Sequence, residues 1–134
     1  MSYPRELSSA EVPTNLSSLV FQLAHLLLSG ETHAHQVLQA QLASAQIDHV
    51  TLTGAGIYAY FNVLIDWGIV LPLEMIGGMV TIEVPALDAP AGSLIKISKG
   101  KLDYVEIYTF GEKNWPDDPN DFSLGFSDPL PIQN

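Results

Sequence analysis

"SLIKISKGKLDYVEIYTF", residues 93 to 110, decides the fold. Two runs of branched and aromatic residues flank Lys99-Gly100, and a two-residue connection ending in glycine is the mark of a tight antiparallel hairpin. Such a loop sets the register. Ser98 falls opposite Lys101, and the pairs 97 with 102, 96 with 103 and 95 with 104 follow. Lys96 is therefore expected across from Asp103, an opposite-charge pair that supports the register. Strict alternation then places Ile95, Ile97, Leu102, Tyr104, Glu106, Tyr108 and Phe110 on one face, with Glu106 among three aromatic residues.

Further strands lie upstream. In "GIYAYFNV" (56 to 63), Ile57, Ala59, Phe61 and Val63 alternate with Tyr58, Tyr60 and Asn62, a strand with one dry face. "HVTLT" before Gly54 reads as its hairpin partner, with Gly54 and Gly56 supporting a turn or bulge. "MVTIEV" (79 to 84) supplies another strand, stopped by Pro85.

Helical spacing appears earlier still. Leu16, Leu19, Val20, Leu23 and Leu27 recur at three- and four-residue steps after Thr14 or Asn15, either of which caps a helix start. Gly30 suits a left-handed helix end, and Thr32 caps a second helix running to about Gln46, with Val37, Leu38, Leu42 and Ala45 inward. Residues 1–13 hold two prolines and no apolar period, an N-terminal arm; residues 14–134 form a single domain. Helices followed by strands predict an α+β fold: two N-terminal helices packed on an antiparallel sheet of about five strands.

Two segments resist the pattern. "LIDWGIVLPLEMIGG" (64 to 78) is apolar but broken by Asp66, Gly68, Pro72 and Glu74. It reads as a loop packed over a sheet edge or as a contact surface, with Trp67, Ile69, Val70 and Leu71 as the candidate interface. The tail from Asp117 is acidic and proline-rich, expected to run extended with Phe122, Leu124 and Phe126 docking in alternation.

Composition narrows the function classes. The chain has 134 residues, enough for one core that removes roughly two thirds of the unfolded surface from water. With 47% apolar and 15% charged residues it lies outside the composition of disordered chains, and that apolar content favours a homodimer. Five Lys plus Arg stand against 15 Asp plus Glu, a net charge of −10 that repels nucleic acid and anionic membrane surfaces. Cysteine is absent, which removes disulfides, thiolate nucleophiles and cysteine-ligated zinc. The run from Leu16 to Leu28 is too short to cross a bilayer and lacks the form of a secretory peptide, so the expected location is cytoplasmic.

Few residues invite catalysis. Glu31, His33 and His35 in "ETHAH" sit at steps of two, which a helix start splays apart, so no metal is expected. "GAGIYAY" has no third glycine and leads into a strand, unlike a phosphate loop, and no Gly-x-Ser-x-Gly occurs. No cofactor is implied.

The carboxylates are better candidates. Glu106 with Tyr104, Tyr108, Tyr58 and Tyr60, and Glu112 near Trp115, fit a ligand or acid–base site; they equally fit structural acceptors. On the structural reading, which the sequence favours, Gly111 takes a positive φ, Glu112 reaches free backbone N–H groups, and Trp115 folds back over the sheet.

"TGAGIYAYF" (53 to 61) and "GKLDYVEIYTFGEKNWP" (100 to 116) resemble a family of small, uncharacterised bacterial proteins. In that family a Thr-Gly-x-Gly-aromatic strand precedes Gly-x-Leu-x-x-hydrophobic-Glu-x-aromatic-Thr-aromatic-Gly-Glu-x-x-Trp-Pro. The likeness covers residues 35 to 116 and marks Gly54, Gly56, Phe61, Glu106, Thr109, Gly111, Glu112, Trp115 and Pro116 as motif positions, without implying an activity.

Two function classes follow. One is a non-enzymatic acidic interaction module, binding a basic protein in the manner of an immunity partner or pairing with itself. The other is a small-molecule receptor or acid–base enzyme built on the Glu/Tyr face of the sheet.

Overall fold

The stripe of leucines predicted for the first helix is the centre of the core. The computed structural model describes residues 3–64 and 71–126. In it helix α1 (Thr14–Leu27) buries Leu16, Leu19, Val20, Leu23 and Leu27, and helix α2 (His33–Ser44) buries Val37, Leu38 and Leu42. Thr32 caps α2 as expected, its side chain accepting from the His35 N–H. The start of α1 differs, because Pro13 occupies the cap position and neither Thr14 nor Asn15 precedes the first turn. Gly30 does not take a positive φ. Its role is steric, since a Cβ there would lie 2.5 Å from the His35 ring.

The α+β class holds, with a different strand count and order. In chain order the strands are β1 (Arg5–Ser8), β2 (Gln46–Leu52), β3 (Gly56–Asn62), β4 (Met75–Gly77), β5 (Val80–Glu83), β6 (Gly92–Ser98), β7 (Lys101–Tyr108) and β8 (Ser123–Phe126). Six of them form one antiparallel sheet in the order β1-β2-β3-β7-β6-β4, and β5 pairs with β8 in a separate two-stranded ribbon.

The helices therefore do not come first. Part of the segment expected as an arm is edge strand β1, held to β2 from Arg5↔Leu52 to Ser8↔His49. A 3₁₀ turn, Ser9–Glu11, closes it, with the Glu11 carboxylate accepting from the Ser8 N–H at 2.8 Å. That bond holds the Glu11 carboxyl below its ordinary pKa. Arg5 pairs with Asp117, which ties this edge to the chain beyond β7.

"MVTIEV" forms β5 as a strand, but outside the main sheet. The Ile82↔Ala91 bridge joins it to the chain just before β6, and the Ser93 hydroxyl of β6 donates to its Val80 carbonyl at 2.9 Å. The tail strand β8 covers it, with Leu124 and Phe122 half-buried against the core and Phe126 exposed. The apolar segment 71–78 divides: Leu71 and Leu73 pack on the core, and Met75–Gly77 becomes edge strand β4. Trp67, Ile69 and Val70 lie outside the described residues.

The Lys99-Gly100 hairpin is as read, with φ of 54° and 76°, both positive as a type I′ turn requires. Ser98↔Lys101 and Ile97↔Leu102 pair as expected, and then the register slips. Lys96 faces Tyr104 rather than Asp103, because Asp103 is an extra residue bulged from β7. Asp103 accepts from the Ser98 hydroxyl at 2.7 Å, while the Lys96 ammonium lies 3.9 Å from Glu74.

The slip changes which face each residue occupies. Leu102, Val105 and Ile107 point into the core with Ile95 and Ile97, and Tyr104, Glu106 and Tyr108 point out. The expected grouping of Glu106 with Ile95, Ile97 and Leu102 is therefore overturned, while its grouping with Tyr104 and Tyr108 stands.

Candidate functional site

Both helices pack on the inner face, where Val50, Leu52, Ile57, Ala59, Ile95 and Val105 are buried beneath them. Among the described residues no helix lies on the opposite face. Its composition can be read directly from the register. One cross-strand row runs Glu6, Thr51, Tyr58, Glu106, Leu94 and Gly77; the next runs Ser8, His49, Tyr60, Tyr104, Lys96 and Met75. Tyr108 stands beside them, between Gly56 on β3 and Gly92 on β6.

The four tyrosines expected at the site thus converge with Glu106 on one open face, each half-buried. The rings of Tyr58, Tyr60 and Tyr104 pack together, while Tyr108 meets Phe110 edge-on at 5.4 Å. Tyr104 meets Tyr58 edge-on at 5.3 Å and tilts against Tyr60 at 5.3 Å, and Tyr58 and Tyr60 lie near parallel at 6.4 Å. Such edge-on and tilted contacts hold the three half-exposed rings against one another. Tyr108 lies over Gly92, where a Cβ would come within 2.6 Å of the ring Cζ, so glycine is required to let the ring lie flat on the sheet.

His49, not singled out in the sequence, extends the platform by stacking on Tyr60 at 4.4 Å. Asp48 bulges out of β2 beside it, with Oδ2 2.7 Å from His49 Nδ1. The signal was present, because alternation along "HVTLT" puts His49 and Thr51 on the polar side.

Glu106 sits directly across from Tyr58. Its carboxylate, as hydrogen-bond acceptor for the Tyr58 hydroxyl, raises that phenol above its ordinary pKa, with burial adding to the effect. Tyr104 is also raised, first by burial and then by the charges of Glu106 and Asp103. Both hydroxyls therefore stay protonated at neutral pH.

The remaining motif residues lie elsewhere. Glu112 is exposed in the connection after β7 and makes no hydrogen bond or ion pair with a described residue. Gly111 does not take a positive φ; the chain turns through bends that any residue adopts, so the expected role of that glycine fails. Trp115 does fold back and is 2% exposed. Its backbone N–H donates to the Gly54 carbonyl at 3.0 Å, and the backbone N–H of Thr109 donates to the Ala55 carbonyl at 2.8 Å. The Gly54–Ala55 end of one motif and the Thr109–Trp115 end of the other thus meet in one joint at the start of β3 and the end of β7, while the tyrosines and Glu106 lie along the strands between.

Two surface clefts lie away from Glu106. One, of about 460 Å³, opens between Glu83–Pro90 and Asp121–Ser123. The other, of about 600 Å³, adjoins Leu71, Leu73 and the β6–β7 turn. Comparison with family models, with curated proteins and with solved structures finds no match.

Proposed function

We propose that this chain is a non-enzymatic interaction module that docks a basic protein on the tyrosine face of its sheet. The observation that supports this reading is the cluster of Tyr58, Tyr60 and Tyr104, with Tyr108 beside it, on a sheet face that no helix among the described residues covers. Tyrosine offers a large, stiff, amphipathic contact area and is enriched at the anchoring centres of protein interfaces. Neither described cleft is lined by these tyrosines, whereas a small molecule needs concave enclosure to bury most of its surface.

Charge selects among partners. A net charge of −10 accelerates encounter with a basic protein and opposes pairing between two copies. Lys113 is already engaged with Asp88 and Lys96 with Glu74, which leaves the acidic surface in excess.

Affinity capture from the native cell extract tests the proposal, run at low and physiological salt with wild-type chain and a Tyr60→Ser/Tyr104→Ser variant. A basic protein retained by the wild type and lost by the variant is expected. Equal retention by both chains, or no specific protein at either salt, refutes it. A light-scattering mass of twice 14.6 kDa that the variant reduces to 14.6 kDa would instead identify a second copy as the occupant.

A further inference from the structure

We infer that Tyr58, Tyr60, Tyr104 and Glu106 form an arginine subsite, in which one guanidinium from the partner lies on the ring cluster and is bound by the carboxylate. The inference rests on the interaction-module reading and names the side chain that the platform would recognise.

The argument begins with the rings. The three half-buried tyrosines lie with ring centroids within 6.4 Å of one another, and a cation over the face of any of them is attracted by its ring quadrupole. A cationic occupant must also find a counter-charge, and Glu106 stands in the same row as Tyr58. Placed across the ladder from Tyr58, an ionised carboxylate offers about four acceptor positions, enough for that phenol and a bidentate donor together. Glu6, exposed at the outer end of that row, adds a second negative charge.

Arginine fits this set better than lysine. Its guanidinium is planar, stacks on aromatic faces and presents a fork of N–H groups to a carboxylate; an ammonium is a compact charge that holds its water tightly on an open surface. The chain's own nearest cation does not fill the place. Lys96 stands across from Tyr104, but its ammonium is drawn to Glu74 at the sheet edge. An anionic ligand is disfavoured by Glu106 and by the charge of the whole chain.

The test is a titration followed by the ring resonances of the tyrosines, at physiological salt, using two short peptides of equal length and charge: one of alternating glycine and arginine, one of alternating glycine and lysine. The signals of Tyr58, Tyr60 and Tyr104 should shift saturably with the arginine peptide, which should bind roughly three- to fivefold more tightly than its lysine twin. Glu106→Gln should lower arginine-peptide affinity by about threefold to tenfold.

Equal affinity for the two peptides, or shifts spread over the acidic surface without the three rings, would overturn the inference. So would a neutral oligosaccharide that moved the same rings at lower concentration. The peptide comparison needs no variant to fold. Its failure leaves the docking proposal standing if capture still depends on Tyr60 and Tyr104, whereas loss of capture with retained arginine selectivity would sink the module reading alone.

Discussion

The backbone N–H of Trp115 donates to the carbonyl of Gly54, 3.0 Å away, so a residue beyond the last strand of the main sheet closes the turn between β2 and β3. The Gly54 φ of +86° turns that carbonyl outward, and Thr53 holds the turn from the other side by donating its N–H to Gly56 at 3.0 Å. Strands β3 and β7 meet here so closely that Gly56 has no room for a side chain.

Glycine substitutions separate close approach from backbone freedom. A Cβ on Gly56 would overlap the Ile107 carbonyl oxygen, which belongs to the backbone and cannot rotate away. Gly56→Ala should cost about 3 kcal/mol or more, by forcing the strands apart. Gly111→Ala should be nearly silent, because its φ is not positive and the new Cβ would meet Asp88 at an ordinary 3.7 Å. Urea midpoints for the two variants check this; a larger loss at Gly111 would contradict the geometry.

Gln41 supplies a second test. It is fully buried on α2, donates Nε2–H to the Gly100 carbonyl at 2.7 Å and accepts from the Leu102 N–H at 2.9 Å. One side chain thus satisfies the Gly100 carbonyl in the turn and the Leu102 N–H of β7, and fixes helix to sheet. Gln41→Leu keeps the volume but leaves a buried donor and acceptor without partners, so a loss of about 2–4 kcal/mol is expected in urea unfolding with an unchanged slope. A cost under about 0.5 kcal/mol would show that water replaces both bonds.

The legible parts of this fold were those whose own residues set the pattern. The α1 leucine stripe, the alternation of β3 and the Lys99-Gly100 turn each carry a local signal strong enough to stand alone. Strand β1, with only Arg5–Ser8, has no such signal and exists because β2 offers it an edge. The bulge at Asp103 was written in the sequence but overlooked. Leu102, Val105 and Ile107 are the most apolar residues of their strand and do not share one alternation, so a phase shift must fall between 102 and 105. Recognising it would have put Glu106 and the tyrosines on the outside. The joint between the two motifs needed tertiary structure, since nothing local says which carbonyls Thr109 and Trp115 will meet.

The two glutamates of the motif should now behave differently from each other. Glu112 is exposed and makes no hydrogen bond with a described residue, so Glu112→Gln should change stability by less than about 0.5 kcal/mol. Glu106→Gln retains an oxygen acceptor for Tyr58 but loses the charge, and a cost of about 0.5–1 kcal/mol is expected on this half-exposed face. Thermal unfolding of both variants beside the wild type decides. A melting temperature above wild type for Glu106→Gln would mean that the carboxylate is held there against stability, as at a site kept for binding.

The Tyr58–Glu106 bond also predicts an alkaline weakness. In the folded chain the Tyr58 phenol has a pKa raised above its ordinary value near 10, first by the hydrogen bond to Glu106 and then by burial. Between that ordinary value and the higher folded one, the unfolded chain has lost the proton while the folded chain keeps it. Fewer protons on the unfolded state mean that stability falls as pH rises. The contribution is fully present below about pH 10 and gone above the folded pKa. Tyr104 is shifted in the same direction, so the wild-type decline has at least two sources. Tyr58→Phe isolates one of them. The variant should be less stable than wild type at neutral pH, and the gap should narrow as pH climbs past about 10, because only the wild type then loses the bond. Urea midpoints for the two chains across that range, with phenolate absorbance recorded alongside, make the comparison; a gap that stays constant would show that the Tyr58 hydroxyl is not held by Glu106.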